Sequence, residues 1–236
     1  MTNKCIVYGH LGMGDMYWMN GAVRFFSTIH DEVVVLCKTH NVKNTQTMYE
    51  DDSSIIVWPI PHDIDVYTIT SQLTEHVMIA CGLAAGVGAA HYPDSFYTDM
   101  NLDPKMRTIY FRHAHCHEAE ILKESLTEPY VVIHESKSSA SIDLANKFDL
   151  DKQLVINICH NVYPMGHHYY DMAQRCVNRP LPCYIEILQH AEELHLIESS
   201  LACLAIHLDL SEVEVKKIYE ASSNFINLNI FTEGKI

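Results

Sequence analysis

Residues 8–21 read Tyr8-Gly9-His10-Leu11-Gly12-Met13-Gly14-Asp15-Met16-Tyr17-Trp18-Met19-Asn20-Gly21, and the reading of the whole chain turns on them. An apolar run, residues 5–8, precedes the glycines. An amphipathic run, residues 15–29, follows, with Met16, Met19, Val23 and Phe26 at helical spacing. The pattern is strand, glycine loop, helix. Glycines at 9, 12 and 14 let the backbone turn sharply and come close to a ligand. The helix start presents unpaired N–H groups, where an anion is stabilised. Asp15 sets one carboxylate at the edge of the loop. A phosphate site with a carboxylate beside it points to chemistry on a phosphorylated substrate. The spacing G-x-x-G-x-G is not the dinucleotide fingerprint G-x-G-x-x-G, and a plain structural turn between strand and helix looks the same.

Outward from this loop the first half repeats the grammar. Strands are expected at residues 33–36 and 54–57, the latter stopped by Pro59 and Pro61, with a fourth at 66–69. A helix is expected at 41–49. The signal blurs over 71–90, where the small apolar run 79–88 reads as a buried helix or as a strand with a tight loop. A short helix follows at 95–100. Pro129 opens a second unit with strands at 130–134, 153–158 and 194–197. Between them come a Ser-rich loop at 135–141 and helices at 142–148, 184–191 and 199–208. A helix at 211–221 and a β-like run at 225–231 close the chain. Strands alternating with helices predict the α/β class with parallel sheets.

Composition narrows the function. The chain has 236 residues, 48% hydrophobic, enough for a sizeable core. A formal net charge of −14 argues against nucleic acid, which needs a basic face, and against an anionic membrane surface. The eight cysteines form no C-x-x-C pair and read as reduced, buried thiols. No apolar run reaches membrane-spanning length. The start, Met1-Thr2-Asn3-Lys4, leads straight into a strand, so no signal peptide and a cytoplasmic location are expected.

Two metal patterns need weighing. In His113-Ala114-His115-Cys116-His117-Glu118 the alternating histidines face one way on a strand and suit zinc. On a helix they fan around the axis, and the flanks look helical, so a solvated His-rich surface is the preferred reading. Asp63-Ile64-Asp65 and Asp149-Leu150-Asp151 are D-x-D strings, a pattern too common in an Asp-rich chain to credit. No metal ligand set is therefore assigned.

Several stretches together resemble one family. Gly14-Asp15 with the helix up to Phe26 is similar to the start of heptosyltransferase-type glycosyltransferases. The string from His10 to Asp15, with Asn20-Gly21 and Val23-Arg24, resembles small glycosyltransferase-like proteins of large DNA viruses and some bacteria. Phe96-Tyr97 with Leu102, Pro104 and Arg107 resembles a middle motif of that group. So do Val132-Ile133-His134-Glu135 with its Ser-rich loop, and residues 191–200, Ala-Glu-Glu-Leu-His-Leu-Ile-Glu-Ser-Ser. The resemblance implies a compact GT-B-like fold: two Rossmann-like lobes facing a cleft, residues 1–118 on the acceptor side and 119–236 on the nucleotide-sugar side.

It also implies roles. Asp15 corresponds to the proposed general base, which takes the proton of an acceptor hydroxyl as that oxygen attacks the anomeric carbon with inversion. By its position alone Asp15 is equally a helix-capping carboxylate. Donor contacts fall to Gly12, Gly14, His134, Lys137, Ser138, Glu198, Ser199 and Ser200. Glu198 stands where the family pattern has Asp, and Ser199 also suits a plain N-cap. Acceptor contacts fall to Tyr17, Arg24 and Arg107. The expected partners are a nucleotide-sugar donor, which is a substrate rather than a cofactor, and a glycan or other hydroxyl acceptor. A non-catalytic module of the same fold, binding a nucleotide, glycan or protein, is the alternative.

Overall fold

The computed structural model describes residues 3–73, 75–83, 92–137, 140–219 and 225–227. The chain divides into two compact units, Met1–His115 and Cys116–Ile236.

In the first unit, β1 (Lys4–Tyr8) leads through the glycine loop into α1 (Met13–Ser27). Then come β2 (Glu32–Lys38), α2 (Val42–Tyr49), β3 (Ile55–Ile60), α3 (Asp65–Gln72) and β4 (His76–Ala80), followed by the short helices α4 (Tyr92–Thr98) and α5 (Met106–Ile109). The sheet order is β3-β2-β1-β4 and every pairing is parallel. The unbroken apolar runs follow from this, because an inner parallel strand is covered on both faces. Ile6, Met16, Met19, Leu36 and Tyr49 are buried at the centre. Burying one such aliphatic side chain contributes roughly 1.5–3 kcal/mol. Register is pinned at the strand starts, where Lys4 pairs with both Glu32 and His76. The Lys4 ammonium lies 3.0 Å from the Glu32 carboxylate, and His76 Nε2 lies 3.4 Å from it. The hydrogen bond from Lys4 is the main reason the Glu32 carboxyl titrates below its ordinary range.

Two expectations change here. Residues 66–69 are helical rather than a strand. Asp65 accepts the His62 amide at 3.0 Å and caps the turn, while β1 takes β2 on one side and β4 on the other, leaving no edge for a strand there. β3 also runs through Pro59 instead of stopping before it. An edge strand tolerates proline because its outer N–H needs no ladder partner.

In the second unit α6 (His117–Glu124) precedes β5 (Tyr130–His134). A two-stranded hairpin of β6 (Ser136–Lys137) and β7 (Ala140–Ser141) replaces the expected open loop. β8 (Leu154–Asn157), α7 (Tyr170–Arg175), α8 (Ile185–Gln189), β9 (Glu193–Ile197), α9 (Ser200–Ile206), β10 (Val215–Tyr219) and β11 (Phe225–Asn227) complete the described elements. The order is β11-β10-β9-β5-β8, parallel except for the β10–β11 pair. The helix expected over 211–221 gives way to β10, whose backbone pairs with β9 in the register Lys217 to His195. The ends of the predicted runs at 79–88, 211–221 and 225–231 lie outside the described residues. All eight cysteines are free thiols, five of them buried. Among the described residues no helix is long and apolar enough to cross a membrane.

Candidate functional site

The second unit holds the predicted donor residues other than Gly12 and Gly14, which belong to the first. From β5 the chain goes to β8 on one side and later to β9 on the other. At such a divergence the loops leave in opposite directions, and a crevice opens beyond the carboxyl ends of the strands. His134 ends β5, while Glu198 and Ser199 follow β9. Ser199 Oγ lies 2.9 Å from His134 Nδ1, and Lys137 Nζ lies 3.3 Å from Glu198 Oε2. Ser200 begins α9 one residue on. Ser138 lies outside the described residues.

The electrostatics of this group follow from burial. His134 is 8% exposed, and loss of solvent pushes its imidazole from an ordinary value near 6.5 down to about 4. It is therefore neutral at physiological pH. Ser199 Oγ accepts the Ala202 amide and shares one further hydrogen bond with His134 Nδ1, which orients the imidazole ring. The site thus holds a neutral imidazole, a hydroxyl and a lysine ammonium. That set suits a diphosphate better than a metal ion. Lys137 is held by a carboxylate that is itself 63% exposed on its side chain, so the ion pair is open to competition from an anionic ligand.

Around His134 the fold adds residues that the sequence reading did not assign. Glu135, buried, accepts the amides of Leu144 and Ala145 at 2.6 and 2.8 Å. Asn157 at the end of β8 donates to its other oxygen, and His160 Nε2 stands 3.8 Å away. Glu135 therefore anchors the segment behind the hairpin. A polar residue closing an apolar strand, as in Ile156-Asn157, was the available signal.

In the first unit the glycine loop is built as expected, with a different helix start. α1 begins at Met13, so Gly14 belongs to the first helical turn and Gly12 is the N-cap. Asp15 Oδ2 accepts the Gly12 amide at 3.1 Å. A methyl group at Gly12 would sit 2.6 Å from that same oxygen. Gly9 carries a second constraint, since a Cβ there would meet the Cys81 carbonyl oxygen at 2.6 Å. Beyond β1 a cavity of about 290 Å³ is lined by Tyr8, His10, Leu11, Asp63, Ile64 and Tyr67 among others. Ile64 and Tyr67 are about 70% exposed at its rim.

The three predicted acceptor residues do not line this cavity. Tyr17 is fully buried in the core. Arg24 is 4% exposed and donates to Asp51 at 2.6 Å, to the Met48 carbonyl at 2.8 Å and to the Arg112 carbonyl at 3.2 Å. Asn20 exchanges hydrogen bonds with the Arg112 backbone at 3.1 and 3.0 Å. Both α1 residues thus fasten the segment leaving the first unit. Arg107 pairs with Asp94 at 3.2 Å and lies over the Trp18 ring.

No protein-family model and no curated protein matches this sequence. Solved structures do. TibC from enterotoxigenic E. coli, described as a bacterial iron-containing dodecameric glycosyltransferase, superposes with a TM-score of 0.55 at 13% identity, over 93% of this chain and 59% of TibC. TibC described as a dodecameric iron-containing heptosyltransferase in complex with ADP-D-β-D-heptose gives a TM-score of 0.51 at 13% identity, with the same coverage. A glycosyl transferase family 9 protein of Veillonella parvula gives 0.56 at 10% identity, over 100% of this chain and 92% of its own. The chain spans about six-tenths of the length of TibC. Likeness at these identities is a likeness of fold: the chain carries two Rossmann-like α/β units of the kind found in GT-B glycosyltransferases.

Proposed function

We propose that this protein is a glycosyltransferase that moves a sugar from a nucleotide-sugar donor to a hydroxyl acceptor. The observation that carries the proposal is the meeting of His134, Lys137, Glu198 and Ser199 at the divergence of β5 and β9. Two separate stretches of sequence supply a neutral imidazole, an ammonium and a hydroxyl at the place where such folds bind nucleotides. That a structural neighbour is described in complex with ADP-heptose supports a nucleotide-sugar as the ligand class.

On this reading the second unit holds the donor and the first supplies the base. Asp15 removes the acceptor hydroxyl proton as the oxygen bonds to the anomeric carbon. The bond from that carbon to the diphosphate breaks in the same step, and the configuration inverts. Charge grows on the departing diphosphate, where Lys137 Nζ and the one proton that the Ser199–His134 pair leaves free stabilise it. The cavity beside Tyr8 and Tyr67 receives the acceptor, with an aromatic rim suited to the apolar face of a sugar ring. No cofactor and no bound metal take part in this scheme.

A second reading rests on one observation. The Asp15 carboxylate already caps α1 through the Gly12 amide, a role that needs no catalysis. The protein is then a binding module of the same fold. One variant separates the two. Asp15→Asn keeps an oxygen to accept the Gly12 amide but cannot take a proton. Transferase activity abolished with donor binding and melting temperature retained supports catalysis. Activity retained in Asp15→Asn removes Asp15 as the base. Donor binding with no turnover in the unaltered protein leaves the module.

A further inference from the structure

We infer that the first unit carries a second small-ligand site at the far end of α1 from the glycine loop, for a neutral polyhydroxylated ring of the monosaccharide class, independently of the glycosyltransferase reading. A cavity of about 390 Å³ lies there, lined by Arg24, Ser27, Asp52, Tyr110 and Arg112 among others. All of these residues belong to the first unit. The volume falls in the range of small-molecule sites, about 300–1,000 Å³. The cavity shares no lining residue with the one beside Tyr8.

Charge selects the class of ligand. Arg24 and Arg112 both pair with Asp51, at 2.6 and 2.9 Å, and Asp52 stands 3.8 Å from Arg24. Two guanidinium groups set against two carboxylates leave this region without net charge, which favours a neutral ligand over a phosphate or a cation.

Geometry then selects hydroxyl groups. Arg24 is 4% exposed, and its Nε and Nη2 donate to protein oxygens. Its Nη1 has no hydrogen-bond partner. Asp52 Oδ2, at 3.8 Å, is too distant for one. The other Asp52 oxygen accepts the Ser54 amide and hydroxyl at 3.1 and 2.6 Å, and the Ser27 hydroxyl lies beside the same carboxylate. The site therefore uses the two atoms that the packing of Arg24 leaves over. One hydroxyl oxygen can lie about 2.8–2.9 Å from both. A hydroxyl accepts from the guanidinium and donates to the carboxylate at once, which neither an anion nor an ammonium does. The Asp52 side chain is 21% exposed, enough for the carboxylate to turn and admit that oxygen.

The rest of the lining is apolar. Tyr110 meets Phe25 edge-on at 5.4 Å and 74°, which holds its ring in place. Ile109 and Phe111 flank it in the same wall. A sugar ring offers what such a lining takes: hydroxyls at its rim and a C–H face for an aromatic ring.

The test titrates the isotope-labelled full chain with the methyl glycosides of glucose, galactose, mannose and N-acetylglucosamine, and separately with sodium phosphate, while its backbone amide signals are followed by NMR. At least one glycoside is expected to shift the signals of Ser27, Thr28, Tyr110 and Arg112 saturably, and phosphate to leave them in place. Asp52→Ala and Tyr110→Ala are each expected to raise the Kd about ten-fold or more, whereas Tyr67→Ala, in the other cavity, leaves it unchanged. Should Asp52→Ala fail to fold, Tyr110→Ala decides by itself. No glycoside moving those signals overturns the inference. So do shifts confined to the cavity beside Tyr8, phosphate moving the signals in place of a sugar, or glycoside binding that the Tyr110→Ala variant leaves unaffected.

Discussion

Ser199 Oγ stands 2.9 Å from His134 Nδ1, joining the N-cap of α9 to the end of β5 across 65 residues of sequence. The contact ties the end of β5 to the start of α9, just beyond β9.

That imidazole gives the fold a pH dependence. Its folded pKa is depressed by burial to about 4, against about 6.5 when unfolded. Above pH 6.5 both states are neutral and the fold keeps the full benefit. As pH falls from 6.5 towards 4 the unfolded chain takes up a proton that the folded one refuses, and stability is lost. The loss is on the order of 3 kcal/mol over that window. Urea unfolding at pH 7.5 and pH 4.5 should show a smaller drop for His134→Gln than for the unaltered protein. Equal drops would place the pH sensitivity elsewhere.

Gly12 is small because the Asp15 carboxylate fills the space beside it. Gly12→Ala should push that oxygen aside and break the cap bond, costing about 1 kcal/mol of stability. If Asp15 is the base, transfer should fall far more than stability does, because the base has been re-aimed. A parallel assay of melting temperature and turnover decides this. Unchanged turnover would detach Asp15 from the chemistry.

Arg24 should behave as a structural residue. Removing its side chain in Arg24→Ala leaves the Met48 carbonyl without this donor, while Asp51 keeps Arg112 at 2.9 Å and the Arg112 carbonyl keeps Asn20, a loss of about 1–3 kcal/mol. Arg24→Lys should also be destabilised, because a point charge cannot span three acceptors in a planar fork. Denaturant midpoints test this. A normally stable Arg24→Lys with only a raised acceptor KM would restore the acceptor role.

The Lys137–Glu198 pair predicts opposite effects on donor affinity. If the donor diphosphate binds here as proposed, Lys137→Met removes an ammonium from it and should weaken binding about ten-fold or more. Glu198→Gln releases the lysine and should leave affinity equal or higher. Thermal-shift titrations with ADP, UDP, GDP, CMP and their sugar conjugates measure both, since a ligand at 100 times its Kd adds about 2.7 kcal/mol to the folded state. A Glu198→Gln variant that binds donor more weakly would instead make Glu198 a sugar contact.

The sequence by itself determined the class of the fold. Unbroken apolar runs such as Val131-Val132-Ile133 can only be inner parallel strands or buried helices, and their alternation with amphipathic runs selects the former. It also carried the glycine loop, and it singled out His134 with Ser199 and Lys137 with Glu198, pairs that the fold brings into contact. Local pattern failed where a long-range partner decided. Residues 66–69 carry β-branched side chains yet are helical, because β1 has no edge left to offer them. Residues 215–219 alternate loosely yet form a strand, because β9 has one. The same limit applies to the site. Arg24 and Tyr17 sit on a helix beside the loop, and only tertiary packing shows that both face inward. Which side of a helix is buried, and which strand ends meet, depends on free energy shared among residues far apart in sequence. No window of the chain contains that information.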